Sequence, residues 1–104
     1  MKTIKQITRI AKDLGWQVDV VESDITFSRY TTAGQDFSFS VNKSKDITDE
    51  VLDYYEGYDP SAEAILWCDS SGHGKKGAPY HLKDIIADME EAEEMVGALY
   101  EAIK

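Results

Sequence analysis

The pattern of apolar residues in the first half of the chain changes from a helical period to an alternating one. Thr3 and Gln6 form a capping-box pattern ahead of apolar residues at helical spacing, and Gly15 supplies a C-terminal stop. These features predict a helix over residues 4–14. Alternation of apolar and polar positions then predicts three strands, whose apolar residues are Trp16, Val18 and Val20, then Ile25 and Phe27, then Phe37, Phe39 and Val41.

The second half has helical periods at both ends and an unbroken apolar run between them. Asp46 and Thr48 offer N-caps for a helix that reaches about Gly57, and the stretch 59–61 then breaks the chain. Residues 64–68 are apolar on both alternating faces, which predicts a well-covered fourth strand. Apolar residues from Leu82 to Ile103 recur at helical spacing and predict a long last helix.

Together these elements predict one α+β domain over residues 1–104, in the form of a two-layer sandwich of order αβββαβα. Short links favour an antiparallel three-stranded meander, to which the fourth strand is added, with the helices on its one apolar face. A chain of 104 residues is too short to bury two separate cores.

Cysteine usage and hydropathy indicate the compartment. Cys68 is the only cysteine and forms no internal disulfide, and the chain start lacks the apolar run of a signal peptide. No apolar stretch approaches the roughly 20 residues that span a bilayer. We therefore expect a cytoplasmic protein.

Charge is distributed unevenly along the chain. Residues 1–45 carry a formal charge of +2 and residues 46–104 carry −11, which gives the net charge of −9. Such a field repels nucleic acid and anionic membranes, and it favours basic protein surfaces as partners. We expect neither direct nucleic-acid binding nor membrane binding.

The last helix carries most of the candidate contacts. The hypothesis is a carboxylate array that imitates the phosphates of nucleic acid, flanked by exposed tyrosines, while Tyr55 packs in the core with Val51 and Leu52. The partner-binding residues would be Asp88, Glu90, Glu91, Glu93, Glu94, Tyr54 and Tyr58. The alternative is an ordinary solvated helix face, neutralised by a basic stripe of Lys2, Lys5, Arg9 and Lys12.

A glycine-rich loop between the fourth strand and the last helix is a second candidate. Its backbone amides and lysines could hold an anion or a nucleotide through Gly72, His73, Gly74, Lys75, Lys76 and Gly77. The loop lacks the Walker pattern, so a flexible connector is favoured. Cys68, His73 and His81 match no familiar zinc spacing, and we expect no metal and no cofactor.

Two stretches carry a resemblance: residues 33–39 and residues 67–91, above all the loop from Gly72 to Tyr80. They resemble a group of small acidic uncharacterised proteins of gut bacteria, often encoded on mobile elements. The resemblance implies no catalytic residue. It suggests a setting in which short acidic proteins disarm host restriction or CRISPR nucleases.

The sequence therefore predicts a small, acidic, non-enzymatic interaction protein that binds a basic protein surface. The target would be a host enzyme that handles DNA or RNA, inhibited by nucleic-acid mimicry. The alternatives are a small-anion or nucleotide-binding module, an enzyme that uses Cys68 with a histidine, and a structural protein. Homodimerisation remains open, because an uncovered sheet edge could pair with its own copy.

Overall fold

The first helix, α1 (Ile4–Asp13), begins at the predicted capping box in a computed structural model that describes residues 2–75 and 78–104. The Thr3 hydroxyl oxygen accepts from the Gln6 amide at 3.2 Å, and the Thr3 amide donates to Gln6 Oε1 at 2.8 Å. Gly15 follows with a φ of +98°, a left-handed conformation that glycine adopts without strain. It turns the chain from α1 into the sheet.

Three antiparallel strands follow, as predicted: β1 (Gln17–Val20), β2 (Asp24–Tyr30) and β3 (Asp36–Asn42), in the order β1-β2-β3. In this register Val18 pairs with Phe27, and Phe27 pairs with Phe39. One face of the sheet is therefore apolar. The opposite face is polar, and there the exposed hydroxyl groups of Thr26 and Ser40 lie 2.7 Å apart.

The helices α2 (Ile47–Glu56) and α4 (Leu82–Ile103) pack with α1 on the apolar face of the sheet. Asp46 caps α2 by accepting from the Asp49 amide at 3.2 Å. The buried core joins residues of all these elements, and its largest fully buried side chain is Phe27. Trp16 lies edge-on to Phe27 and Phe39, with ring centroids 6.3 and 5.7 Å apart.

The prediction of a fourth strand over residues 64–68 was wrong. Residues 64–66 belong to helix α3 (Pro60–Leu66), Trp67 is its C-cap, and Cys68 forms only an isolated bridge with Gly74, so the observed order is αβββααα. The Asp59 carboxylate caps α3 by accepting from the amides of Ser61 and Ala62. Pro60 occupies the first turn, where a backbone N–H group has no partner within the helix, so the missing N–H of proline costs no hydrogen bond. Local capping thus overrides the strand-like composition.

Helix α3 packs against the first turns of α4 and forms a second, smaller apolar cluster. Ala64, Ile85 and Met89 are its buried members, and Trp67 and Cys68 pack against them. Because α3 covers only one side of the apolar run, Ile65 and Leu66 remain exposed. Within the described residues, no helix combines the length and hydropathy required to cross a bilayer.

Candidate acidic interaction surface

Helix α4 buries one side and turns the opposite side to solvent. Its inward stripe includes Ile85, Met89, Val96 and Leu99 at helical spacing, which fixes the rotation of the helix. On the opposite side, Glu90, Glu94 and Glu101 are exposed, and Glu93 is half-buried at the margin. Three of the predicted contact residues, Glu90, Glu93 and Glu94, therefore remain accessible to a partner.

Asp88 is not on this exposed side, contrary to the hypothesis. Its side chain is only 5% exposed, and its Oδ2 accepts from the Thr31 hydroxyl at 2.7 Å. Burial, together with the neighbouring Glu91 carboxylate, raises the pKa of Asp88 above its ordinary value, although the bond from Thr31 opposes this shift. Asp88 ties α4 to the turn between β2 and β3 and is not available to a partner.

Glu91 contacts the same turn from the next position around the helix. Its carboxylate accepts from the Thr32 amide at 3.2 Å and also from the Thr32 hydroxyl. The two carboxylates thus share one turn, whose donors neutralise part of their repulsion. The i, i+3 spacing of Asp88 and Glu91 could have suggested a common neighbour, but nothing in the sequence identifies that neighbour.

The basic stripe on α1 does not neutralise α4. Among the residues described, the side chains form a single ion pair, between Lys104 Nζ and Glu101 at 2.8 Å. Lys2 Nζ donates instead to the main-chain carbonyls of Ile103 and Lys104, each at 3.1 Å. The carboxylates of Glu90, Glu93 and Glu94 therefore have no cationic partner in this part of the chain.

The predicted exposed tyrosines are largely internal. Tyr58 is 9% exposed and donates its hydroxyl to the Met89 carbonyl at 3.0 Å, while Tyr54 stacks on Phe39 with ring centroids 4.5 Å apart. Burial and the nearby Glu63 raise the pKa of Tyr54 to about 12. The prediction that Tyr54 and Tyr58 form an exposed pair was wrong, because the inward face of α2 follows Ile47 and Val51.

Tyr55, predicted to lie in the core, is instead exposed, with an exposed fraction of 36%, whereas Tyr54 is half-buried. The Tyr55 ring lies over Gly97 of α4, where a Cβ atom would come within 2.9 Å of Tyr55 Cε1. The glycine therefore lets α2 and α4 approach closely. This contact makes the outer faces of the two helices neighbours on one surface.

Helix α2 adds its own carboxylates to that surface. Asp49, Asp53 and Glu56 recur at spacings of four and three residues and are all exposed. They complete what we call the acidic surface, defined as Asp49, Asp53 and Glu56 of α2 with Glu90, Glu93 and Glu94 of α4. Sequence reasoning missed the contribution of α2, because only the packing of Tyr55 on Gly97 makes the two helices neighbours.

The glycine-rich loop does not present free amides for an anion. The Asp69 carboxylate accepts from the amides of Ser71 and His73 at 2.9 and 3.4 Å, while the Gly72 amide donates to the Asp69 carbonyl at 3.1 Å. The side-chain and backbone hydrogen bonds from Ser71 lower the pKa of Asp69.

The amides of the other two described candidate residues, Gly74 and Lys75, are also occupied. The Gly74 amide donates to the main-chain carbonyl of Tyr80 at 3.0 Å, and the Lys75 amide donates to that of Trp67 at 2.8 Å. Lys75 Nζ lies 3.2 Å from the Leu66 carbonyl, and the His73 ring stacks on Tyr80. Lys76 and Gly77 lie outside the described residues. The geometry of the others is that of a connector with internal hydrogen bonds.

Cys68 and the histidines do not form a metal or thiol centre in the described ranges. The Cys68 thiol is half-buried and donates to the Ala64 carbonyl at 3.4 Å. In residues 2–75 and 78–104, no three His, Cys, Asp or Glu side chains are grouped to hold a metal ion. Comparisons with models of protein families, with curated proteins and with solved structures find no match to this chain. No residue role is carried over from a relative.

Proposed function

We propose that this chain is a non-enzymatic interaction protein that uses its acidic surface to bind a basic protein surface. The observation that carries the proposal is that the carboxylates of this surface face solvent without cationic partners among the described residues. Carboxylates at the surface attract a basic protein surface over distances comparable with the Debye length, which is about 8 Å at physiological salt.

The arrangement of these carboxylates works against the stability of the helices that carry them. Glu90 and Glu94 are an i, i+4 pair of like charge, as are Asp49 and Asp53, and each such pair costs roughly 0.2–0.5 kcal/mol in an isolated helix. Within the described part of the chain no lysine forms an ion pair with these residues, although Lys2 and Lys104 line a cavity with Asp49. A basic partner would relieve the repulsion, which gives binding a favourable electrostatic component.

The spacing of the charges supports one class of partner. Two neighbouring helices hold carboxylates at repeated spacings on a rigid framework, which suits a surface built to contact the repeated phosphates of a nucleic-acid backbone. We therefore propose a DNA- or RNA-handling host enzyme as target, in the manner of an anti-restriction or anti-CRISPR protein. Asp88, Glu91, Tyr54 and Tyr58 have structural roles, and Tyr55 is the aromatic contact.

A displacement experiment tests this function. Fluorescently labelled duplex DNA is bound to each member of a panel of purified basic proteins, including restriction and CRISPR nucleases, and this protein is added as competitor at low and high salt. We expect displacement from at least one member, and weaker displacement as ionic strength rises. Absence of displacement across the panel, or displacement that is insensitive to salt, would contradict the proposal.

A further inference from the structure

The outer edge of β3 is a regular strand edge with nothing paired to it among residues 2–75 and 78–104. The strand has seven residues and pairs with β2 without interruption from Asp36 to Asn42, while its other side has no neighbouring strand. Proteins commonly protect such an edge with a lysine, a proline, a bulge or a very short strand. The β3 edge has none of these devices.

Acidic side chains of α2 flank this edge on the helix side of the sheet. The stacking of Tyr54 on Phe39, with nearly parallel rings, places α2 beneath β3. Glu50 lies four residues before Tyr54 and therefore on the same side of the helix, and Asp53 is adjacent around the helix axis. On the other face of the sheet, Ser38 and Ser40 are small, polar and exposed.

We propose that the β3 edge accepts an extended, lysine- or arginine-rich segment of the partner as an added strand. This inference rests on the proposed function, since it names the manner in which the basic partner docks. The backbone groups of β3 would supply the hydrogen bonds, and side chains would supply specificity. Because strand side chains alternate between faces, cationic residues at every second position would lie beside Glu50 and Asp53.

A second copy of this chain is a poorer occupant of the same edge. Antiparallel pairing of β3 with its own copy about a two-fold axis would bring α2 beside the α2 of the partner subunit. The acidic side chains of the two helices, including Glu50 and Asp53, would then face residues of like charge. Like-charge juxtaposition across an interface is unfavourable, whereas a basic strand meets complementary charge.

The test uses a peptide of alternating lysine and valine, matched in length to β3, and the same peptide N-methylated at every backbone amide. Both peptides carry the same charge, but the methylated one has no backbone N–H group to donate to β3 from either edge. Binding to isotopically labelled protein is followed by NMR, with amide hydrogen exchange of β3 as the readout of strand addition. The variant Glu50→Gln, which leaves the acidic surface intact, is compared with Glu22→Gln, a matched change at an exposed acid near β1.

We expect slowed exchange at β3 amides with the unmodified peptide and affinity about tenfold higher than for the methylated one. Glu50→Gln should weaken binding more than Glu22→Gln. Equal affinity for both peptides without protection of β3 would overturn the strand addition while leaving the acidic surface as the binding site. Protection of β3 without peptide, together with a dimer in sedimentation, would assign the edge to a second copy and also overturn the inference. The proposed function itself is tested separately, because absence of DNA displacement across the nuclease panel would contradict it.

Discussion

Substitutions at Asp88 test how the acidic helix is anchored to the sheet. Asp88→Ala removes the acceptor of the buried Thr31 hydroxyl, which lies 2.7 Å away. A buried donor left without its partner costs about 1–3 kcal/mol, so we expect the free energy of unfolding to fall by that amount. Asp88→Asn keeps an acceptor oxygen for Thr31 and removes the charge beside Glu91, so its stability at neutral pH should equal or exceed that of the natural chain.

The pH dependence gives this prediction a definite sign. The pKa of Asp88 is raised in the folded state by burial, whereas in the unfolded chain an aspartate titrates near its ordinary value of about 3.9. Between these two pKa values the folded state binds more protons than the unfolded state, so stability falls as pH rises through that window. Asp88→Asn abolishes this decline, and its advantage over the natural chain should grow from about pH 4 upward.

Urea unfolding followed by tryptophan fluorescence measures these differences, since Trp16 is buried in the core. The matched control is Glu90→Gln, an exposed neutralisation on the same helix, for which a change within about 0.5 kcal/mol is expected. Equal destabilisation by Asp88→Asn and Asp88→Ala at neutral pH would contradict a structural role for the Thr31 bond. A stability difference between Asp88→Asn and the natural chain that does not vary with pH would contradict the raised pKa of Asp88.

Three further predictions concern individual contacts. Tyr58→Phe deletes the hydrogen bond to the Met89 carbonyl and should lower the free energy of unfolding in urea by about 1 kcal/mol. Tyr80→Phe, at an exposed ring, should leave it unchanged, and equal effects of the two variants would place Tyr58 outside the core. Gly74→Ala would set a Cβ atom 1.8 Å from the Pro79 carbonyl oxygen, so NMR should show rearrangement around Tyr80. Ser70→Ala, at an exposed position of the same loop, should leave that region unchanged, and an unchanged spectrum for Gly74→Ala contradicts the expectation. Burial raises the pKa of Tyr54 from 10.0 to about 12, so the free energy of unfolding should decline as pH rises across that range. Tyr54→Phe should reduce this decline, and identical alkaline unfolding curves for the variant and the natural chain would contradict the expectation.

Local signals in the sequence were sufficient for most of the fold. The capping box at Thr3 and the alternation through Phe27 and Phe39 each depend on residues that are near in sequence, and the structure confirms α1 and the meander. The segment from Pro60 to Leu66 failed because seven residues make barely two helical turns and display no clear period. Asp59 followed by Pro60 was the available helix-start signal, and it was interpreted only as a break.

The site was harder to predict, because exposure depends on contacts between distant residues. Composition identified α4 as acidic, but the burial of Asp88 depends on the turn carrying Thr31, which is 57 residues away in sequence. The tyrosines were assigned from the wrong helical phase, which placed Tyr55 inside and Tyr58 outside. The close approach of α2 to α4 at Gly97 follows from packing and has no local signature.

The acidic surface is tested most directly by paired charge reversal in the DNA-displacement assay, with any panel member that responds to the natural chain. Glu90→Lys/Glu94→Lys is compared with Asp19→Lys/Glu22→Lys, which changes the net charge equally at exposed residues near β1. We expect the reversal on α4 to weaken displacement by about tenfold or more, and the matched reversal to leave it largely unchanged. Equal losses for the two variants would show that net charge alone acts, and would contradict a defined binding surface on α2 and α4.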